Sequence, residues 1–315
     1  MKKHLILLCS LFMATALISS CAQDAMEPEV DAAATGAETR AYGDKTPKVM
    51  MYIEVNDTNP LNTMLYRMNN EPFIDITTIF AANIRANGSE PALWLNDNVT
   101  KILVPDAGST TTGHYKYVQP IRQDGGKVLM TILGDHQGVG AANLTEANQD
   151  KFAEILAWAV EEYQLDGIDF DDEWAEYGTR GYPYANSTSY SNMIIALAGK
   201  TNKSISVFDW GNTGTLSSTA ISHLDWGCQG SLNGYGFNSS FAAGKYLPLF
   251  VNLTSPLSDT AIRSRTTQAK NADARGICFF LPMSPYRLSS FNAAAQAFGE
   301  TVSHTGKTYS KDYGN

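Results

Sequence analysis

The sequence predicts a (β/α)8 barrel of the α/β class, on three observations. From Val49 onward, eight short β-rich runs alternate with helical patterns and turn residues. The runs read as near-continuous apolar stretches, as strands of a parallel sheet buried on both faces do. Residues 48–315 match the length of one such barrel, about 250 residues. Composition agrees: 43% of the 315 residues are apolar and 17% charged, which excludes a disordered or collagen-like chain. The formal net charge of −9 repels phosphate backbones, so no nucleic-acid partner is expected.

Residues 1–20 come first, with Lys2 and Lys3 before an apolar run from Leu5 to Ile18, then Ser19 and Ser20. This is the pattern of a secretory signal, too short and wrongly flanked for a membrane-spanning helix. Leu17-Ile18-Ser19-Ser20-Cys21 resembles the lipobox of bacterial lipoproteins. That implies a lipid anchor at Cys21 and a place on the outer membrane or cell surface; an ordinary signal cut near Ser20 is the alternative. Residues 21–47 are acidic, poor in apolar bulk and aperiodic, and read as a disordered tether. The barrel follows over 48–315, as an expected monomer.

The strands are expected at 49–55, 76–84, 127–134, 165–173, 204–210, 223–229, 246–253 and 276–282. The best helix is 146–164, where Phe152, Ile155, Leu156, Ala159, Val160 and Tyr163 recur at helical spacing. Weaker helices are expected at 113–123, 188–199, 258–272 and 288–299. The sixth and seventh connections look too short or too glycine-rich for full helices, so one or two helices of the barrel should be shortened or missing. Cys228 and Cys278 fall on the sixth and eighth strands. Alternate strands lie about 9–10 Å apart, so two buried free thiols are expected rather than a bridge.

The chemistry is concentrated in Asp166-Gly167-Ile168-Asp169-Phe170-Asp171-Asp172-Glu173. On a strand, Asp169, Asp171 and Glu173 share one face, while Phe170 and Asp172 share the other. In a barrel the first set faces inward and climbs to the C-terminal rim, where active sites of this architecture lie. Three inward acids repel one another, and at least one is held protonated near neutral pH, as a general acid requires. A metal site, a solvated acidic turn and a barrel that has lost its reaction are the alternatives. The calcium-loop glycine and distal glutamate are missing, and neither metal nor cofactor is expected.

This segment matches the D-G-x-D-x-D-x-E signature of glycoside hydrolase family 18. Its continuation, Trp174-Ala175-Glu176-Tyr177-Gly178, resembles the endo-β-N-acetylglucosaminidase H-like branch. Further blocks resemble that branch in the same order: Glu54 to Asn62, Ile79 to Ile84, Leu133 to Gln137 and Tyr309 to Tyr313. The resemblance implies a substrate-assisted retaining mechanism, an exception to the two-carboxylate scheme. Glu173 would be the acid and later the base, and Asp171 would hold the 2-acetamido group whose carbonyl oxygen attacks the anomeric carbon. Asp169 would share a proton or hydrogen bond with Asp171, while Asp166 and Gly167 would support the base of the strand. The implied substrate is the chitobiose core of N-linked, mainly high-mannose glycans on glycoproteins.

Phe80, Trp174, Tyr177, Trp210 and Tyr235 are the candidates to stack on sugars, with core packing the alternative for Phe80 and Trp210. Asn83, Asp135, His136 and Gln137 lie just past strand ends and Gln229 closes the sixth strand, where polar groups meet hydroxyls. The family places a tyrosine at the end of the sixth strand. Read without a gap it falls on Ser231; a shift of about four residues brings Tyr235 there. Two other functions stay open: a weak or inactive glycan-binding family member, and a chitinase-like hydrolase.

Overall fold

The structure, a computed structural model, describes residues 45–274, 276–281 and 288–314. The expected signal, Cys21, most of the tether and the end of the eighth strand at Pro282 lie outside the described residues.

In chain order the elements are β1 (Lys48–Glu54), a 3-10 turn (Pro60–Leu65), β2 (Tyr66–Met68), β3 (Glu71–Pro72), β4 (Ile76–Asn87) and β5 (Glu90–Trp94). Then come α1 (Asp97–Leu103), α2 (His114–Tyr117), α3 (Gln119–Gln123), β6 (Lys127–Leu133), α4 (Glu146–Glu162), β7 (Gly167–Asp171), α5 (Ser189–Ala198) and β8 (Ser204–Asp209). The last are α6 (Ser218–Ser222), β9 (Trp226–Gln229), β10 (Tyr246–Leu247), β11 (Phe250–Asn252), α7 (Asp259–Asn271), β12 (Gly276–Leu281), α8 (Leu288–Gln296) and β13 (Ser303–His304). All eight expected strands are present. They run parallel in the order β10-β9-β8-β7-β6-β4-β1-β12-β11.

The ends of that order come from one stretch of chain. The expected strand 246–253 is divided at Pro248, which has no N–H to give a ladder. Its first part pairs with β9 and its second with β12, so the segment itself closes the barrel. The chain after β9 joins at the break: Gly236 N–H donates to Pro248 O at 2.9 Å, and Phe250 N–H to Gly234 O at 3.1 Å.

Alternation along the strands divides the apolar residues into two cores. Met50, Tyr52, Ile76, Leu129, Phe208, Cys228, Leu247, Phe250 and Cys278 fill the barrel, whereas the larger set, including Ile53, Ile79, Ile132, Phe170 and Val207, packs under the helices. Both cysteines are buried and free.

The connections follow expectation in part. The seventh carries a full helix, α7, matching the pattern over 258–272 rather than the shortening expected for that connection, and it is capped by the Ser258 side chain, which accepts from Ala261 N–H. The sixth, as expected, has only a 3-10 turn, at Ala243–Lys245. The expected helix 113–123 is two short helices, α2 and α3, with Pro120 in the first turn of the second. The helix α1 and the antiparallel strand β5, paired with β4, were not expected. Lys45, placed in the tether by the sequence, packs against the barrel instead: its Nζ donates to Asp75 Oδ2 at 2.6 Å and to Phe73 O at 2.8 Å.

Two of the sequence blocks are partners in space. Asn59 Nδ2 donates to Ser310 O at 2.9 Å, Asn62 Nδ2 to Tyr309 O at 2.8 Å, and the Tyr313 hydroxyl to Thr58 O at 2.7 Å. The C-terminal residues thus strap the turn after β1.

The motif strand β7 lies against β8 at a distance only glycine allows. A Cβ on Gly167 would sit 2.1 Å from Ser204 O. Gly167→Ala is therefore expected to force the strands apart and cost about 1–3 kcal/mol, as overpacking does. Thermal denaturation checks this, and an unchanged midpoint would contradict it.

Candidate active site

Asp169, Asp171 and Glu173 climb the inner wall of the barrel in steps, above Asp166, which precedes β7 and faces the helices. At the base, Asp166 accepts from Arg122 Nε through both oxygens, at 3.1 and 3.0 Å, and from Val128 N–H at 2.9 Å. It ties β7 to β6 and α3. One level up, Asp169 is fully buried and aligned in register with Thr131 on β6 and Ser206 on β8. Both hydroxyls donate to it, Thr131 to Oδ2 at 3.0 Å and Ser206 to Oδ1 at 2.5 Å. Burial pushes its pKa up to about 6, against the hydrogen bonds from Ser206, Thr131 and Tyr52.

Asp171 is held differently. It is 5% exposed, and among the described residues its Oδ1 has no hydrogen-bond partner. Burial first, and then the charges of Glu173, Asp169 and Asp172, push its pKa up to about 9. Near neutral pH the site therefore holds a protonated Asp171. Glu173 is less buried. Burial raises it above the usual carboxylate range, and a hydrogen bond with Trp174 works the other way.

Asp171 and Glu173 line a cavity of about 400 Å³ at the C-terminal mouth. Its floor and walls are Tyr52, Phe208, Phe250 and Phe280, with Phe80, Trp210, Ser231 and Leu232 completing them. The Tyr52 hydroxyl lies 3.4 Å from Cys228 Sγ beneath this floor. A pocket of this size with an aromatic lining and two convergent carboxyls suits one small-molecule unit with an apolar face.

The chain beyond β7 is fixed by the loop after β6. Gly134 N–H donates to Glu173 O at 3.0 Å, His136 N–H to Trp174 O at 2.7 Å, and Gly138 N–H to Ala175 O at 2.8 Å. A Cβ on Gly134 would meet Glu173 O at 2.4 Å, so this approach also needs glycine. His136, Trp174 and Glu176 all have positive φ, at 54°, 59° and 55°. Such non-glycine backbone is strained, and its concentration beside Glu173 is typical of functional sites.

The remaining sequence candidates divide into two groups. Phe80 and Trp210 line the cavity, Trp210 with 48% of its surface exposed. Trp174 follows Glu173 but does not line the cavity; it is 59% exposed, its ring 5.3 Å from that of His136, which in turn contacts Glu176 Oε1 at 2.8 Å.

The others are placed away from the cavity lining. Tyr177 is not a rim platform: its hydroxyl donates to Asp172 and accepts from Ala142 N–H, packing it behind β7. Asn83 is buried and donates to Gly134 O at 3.0 Å, and Asp135 pairs with Arg85, whose guanidinium covers Trp94. Gln137 lies half-buried in the same loop. Gln229 Nε2 donates to Gly236 O at 3.3 Å, while Tyr235 forms an antiparallel bridge with Leu249. Of the two candidates after β9, Ser231 lines the cavity and Tyr235 does not.

Thr131, Ser206, Tyr52, Phe208, Phe250, Phe280 and Leu232 were not among the sequence candidates. Thr131 and Ser206 carried a usable signal, being polar residues in the interior of two apolar runs. Asp172 turns outward, as alternation requires, and accepts from Asn212 N–H at 3.0 Å and Asn212 Nδ2 at 2.7 Å. It thereby ties the loop that follows Trp210 to β7. Among the described residues no cluster of three His, Cys, Asp or Glu is placed to hold a metal ion.

No family model matches the chain. Curated proteins do: an endo-β-N-acetylglucosaminidase of Flavobacterium sp. (strain SK1022) is 39% identical over 192 residues, covering 60% of this chain and 59% of that protein. Endo-β-N-acetylglucosaminidase F1 of Elizabethkingia meningoseptica is 32% identical over 207 residues, covering 62% and 59%. The match thus spans less than two thirds of the length of these relatives. Among solved structures, Bacteroides thetaiotamicron EndoBT-3987 in complex with Man9GlcNAc2Asn substrate superposes with a TM-score of 0.72 at 23% identity, over 88% of this chain and 72% of that one. A glycoside hydrolase family 18 chitinase from Pseudoalteromonas aurantia superposes with a TM-score of 0.54 at 16% identity, over 79% and 99%. Over about 60% of its length the chain is similar in sequence to bacterial endo-β-N-acetylglucosaminidases, and its fold is the parallel barrel of the solved structures on which it superposes.

Proposed function

We propose that the protein hydrolyses the bond between the two N-acetylglucosamines of N-linked glycans, by substrate-assisted retaining chemistry. The observation that carries this reading is the buried Asp171 carboxyl, held protonated and with Oδ1 lacking any partner in the described protein, next to the more exposed Glu173. A buried polar atom without a partner is costly unless a ligand supplies one. An acetamido group does so.

Two residues apart, Asp171 at the end of β7 and Glu173 just beyond it, the two carboxyls rise from the same wall rather than facing each other across the cavity. That favours a nucleophile brought by the substrate over a protein carboxylate on the far side of the sugar. In the first step protonated Glu173 gives its proton to the glycosidic oxygen as the C–O bond breaks. The acetamido carbonyl oxygen bonds to the anomeric carbon, and Asp171 accepts the acetamido N–H as positive charge develops there, its own proton passing toward Asp169. In the second step ionised Glu173 takes a proton from water, which adds to the anomeric carbon and opens the ring, restoring both the acetamido group and the acid.

Thr131 and Ser206 keep Asp169 ready for that role by holding its carboxylate from both sides. Residues 1–21 support a lipid anchor at Cys21 that presents the enzyme, as a monomer, on the outer membrane or cell surface. Mainly high-mannose glycans on glycoproteins are the proposed substrates.

The mechanism is tested with a glycan in which the sugar to be attacked carries a 2-hydroxyl in place of its acetamido group. It is expected to remain uncut under conditions that cleave the parent glycan, and cleavage of both at similar rates would refute substrate assistance. The rate of the parent reaction should follow a bell against pH, falling on the alkaline side as Glu173 loses its proton. A flat profile from mildly acid to alkaline pH would contradict the carboxylate assignment.

A further inference from the structure

Part of the cavity wall, Gly230 to Leu232, is borne by a turn that follows β9 rather than by a strand. Gly234 N–H closes the turn on Ser231 O at 2.7 Å, with Asn233 in the left-handed region at φ 58°. At the tip, Leu232 lines the cavity and is nevertheless 54% exposed; Trp210, 48% exposed, lines the same cavity. An exposed leucine on a surface needs no explanation, but one that forms the mouth of a cavity is a contact surface for an apolar face.

This turn is fastened from outside the cavity. Asn233 Oδ1 accepts from Asn252 N–H at 3.0 Å, and its Nδ2 donates to Ser255 O at 2.9 Å. Arg265, on α7, donates from Nη1 to Asn233 O at 2.6 Å. Among the described residues this guanidinium makes no ion pair, so its charge is spent on a single loop carbonyl. At the other end of the segment the Gly230 Cα is packed on β8, where a Cβ would lie 1.9 Å from Asp209 O.

We propose that Leu232 contacts the substrate and sets its affinity, and that Arg265 is a positioning residue that holds Leu232 in place through Asn233. The sugar's C–H face is the ligand surface such a leucine takes, with Trp210 lining the same cavity. The proposal rests on the glycan-cleaving reading above.

The test is steady-state kinetics on a high-mannose glycoprotein. Arg265→Met keeps the aliphatic stem and removes the donor. It is expected to raise KM on the order of tenfold, with kcat within about twofold, the size of effect that one apolar contact supplies. Arg265→Lys, which can still donate to the Asn233 carbonyl, should recover most of the loss. Leu232→Ala should raise KM to a similar extent, and the double variant Leu232→Ala with Arg265→Met should be no worse than Leu232→Ala alone. The proposal is overturned if wild-type protein cleaves normally while Arg265→Met leaves KM unchanged. It is also overturned if Arg265→Lys behaves like Arg265→Met, or if the two losses multiply in the double variant. Failure of the wild-type protein to cleave at all would instead remove the functional reading, and this one with it.

Discussion

Glu173→Gln is expected to lower turnover by roughly 10³-fold or more while glycan binding persists. The amide keeps the shape of the side chain at the cavity mouth and cannot donate an acidic proton to the leaving oxygen. Loss of general acid–base catalysis costs about 10²- to 10⁴-fold, and here one residue serves both steps. The raised pKa of Glu173 comes from burial in an aromatic cavity, which Gln does not disturb. Single-turnover rates and calorimetric titration of the same glycan separate the two effects. A variant that turns over near the wild-type rate would show that another group is the acid.

Asp171→Asn is expected to have the second-largest effect, and to act in opposite directions on activity and stability. Replacing the group that stabilises the charged acetamido should lower kcat by about 10²- to 10³-fold, the range for one such electrostatic contact. On stability the sign follows from linkage. The folded carboxyl has its pKa pushed up from 3.8 to about 9. Below pH 4 the folded and unfolded chains both hold the proton, and nothing is lost. Between those values only the folded chain holds it, so stability falls as pH rises. Asparagine carries no such liability. The variant should therefore melt several degrees above wild type at pH 8, at about 2–4 °C per kcal/mol for a chain of this size, with the gap closing toward pH 4. A variant no more stable than wild type at pH 8 would contradict the burial argument.

The strand pattern made much of this architecture legible in advance. Continuous apolar runs such as KVLMTIL and SISVFD mark buried parallel strands, and the alternation of Asp169, Asp171 and Glu173 already put three acids on the inner face. What was not legible depends on contacts between distant residues. Thr131 and Ser206 become partners of Asp169 only once three strands are in register. Tyr177 carries the ring of a sugar platform, but its hydroxyl is committed to Asp172 behind the sheet. Asn83 and Asp135 have the chemistry of hydroxyl ligands, and the fold uses them to hold loops. The division of the strand at Pro248 was visible as a proline in a strand-like run. Its consequence, a barrel closed by two parts of one segment, requires knowing which neighbours lie on each side.

The most direct measurement is the mass of a high-mannose glycoprotein before and after incubation with the protein. The expected product is polypeptide retaining a single N-acetylglucosamine at each glycosylated asparagine, with the released glycan ending in the other. An unchanged mass, or a polypeptide stripped of both sugars, would contradict the proposed reaction.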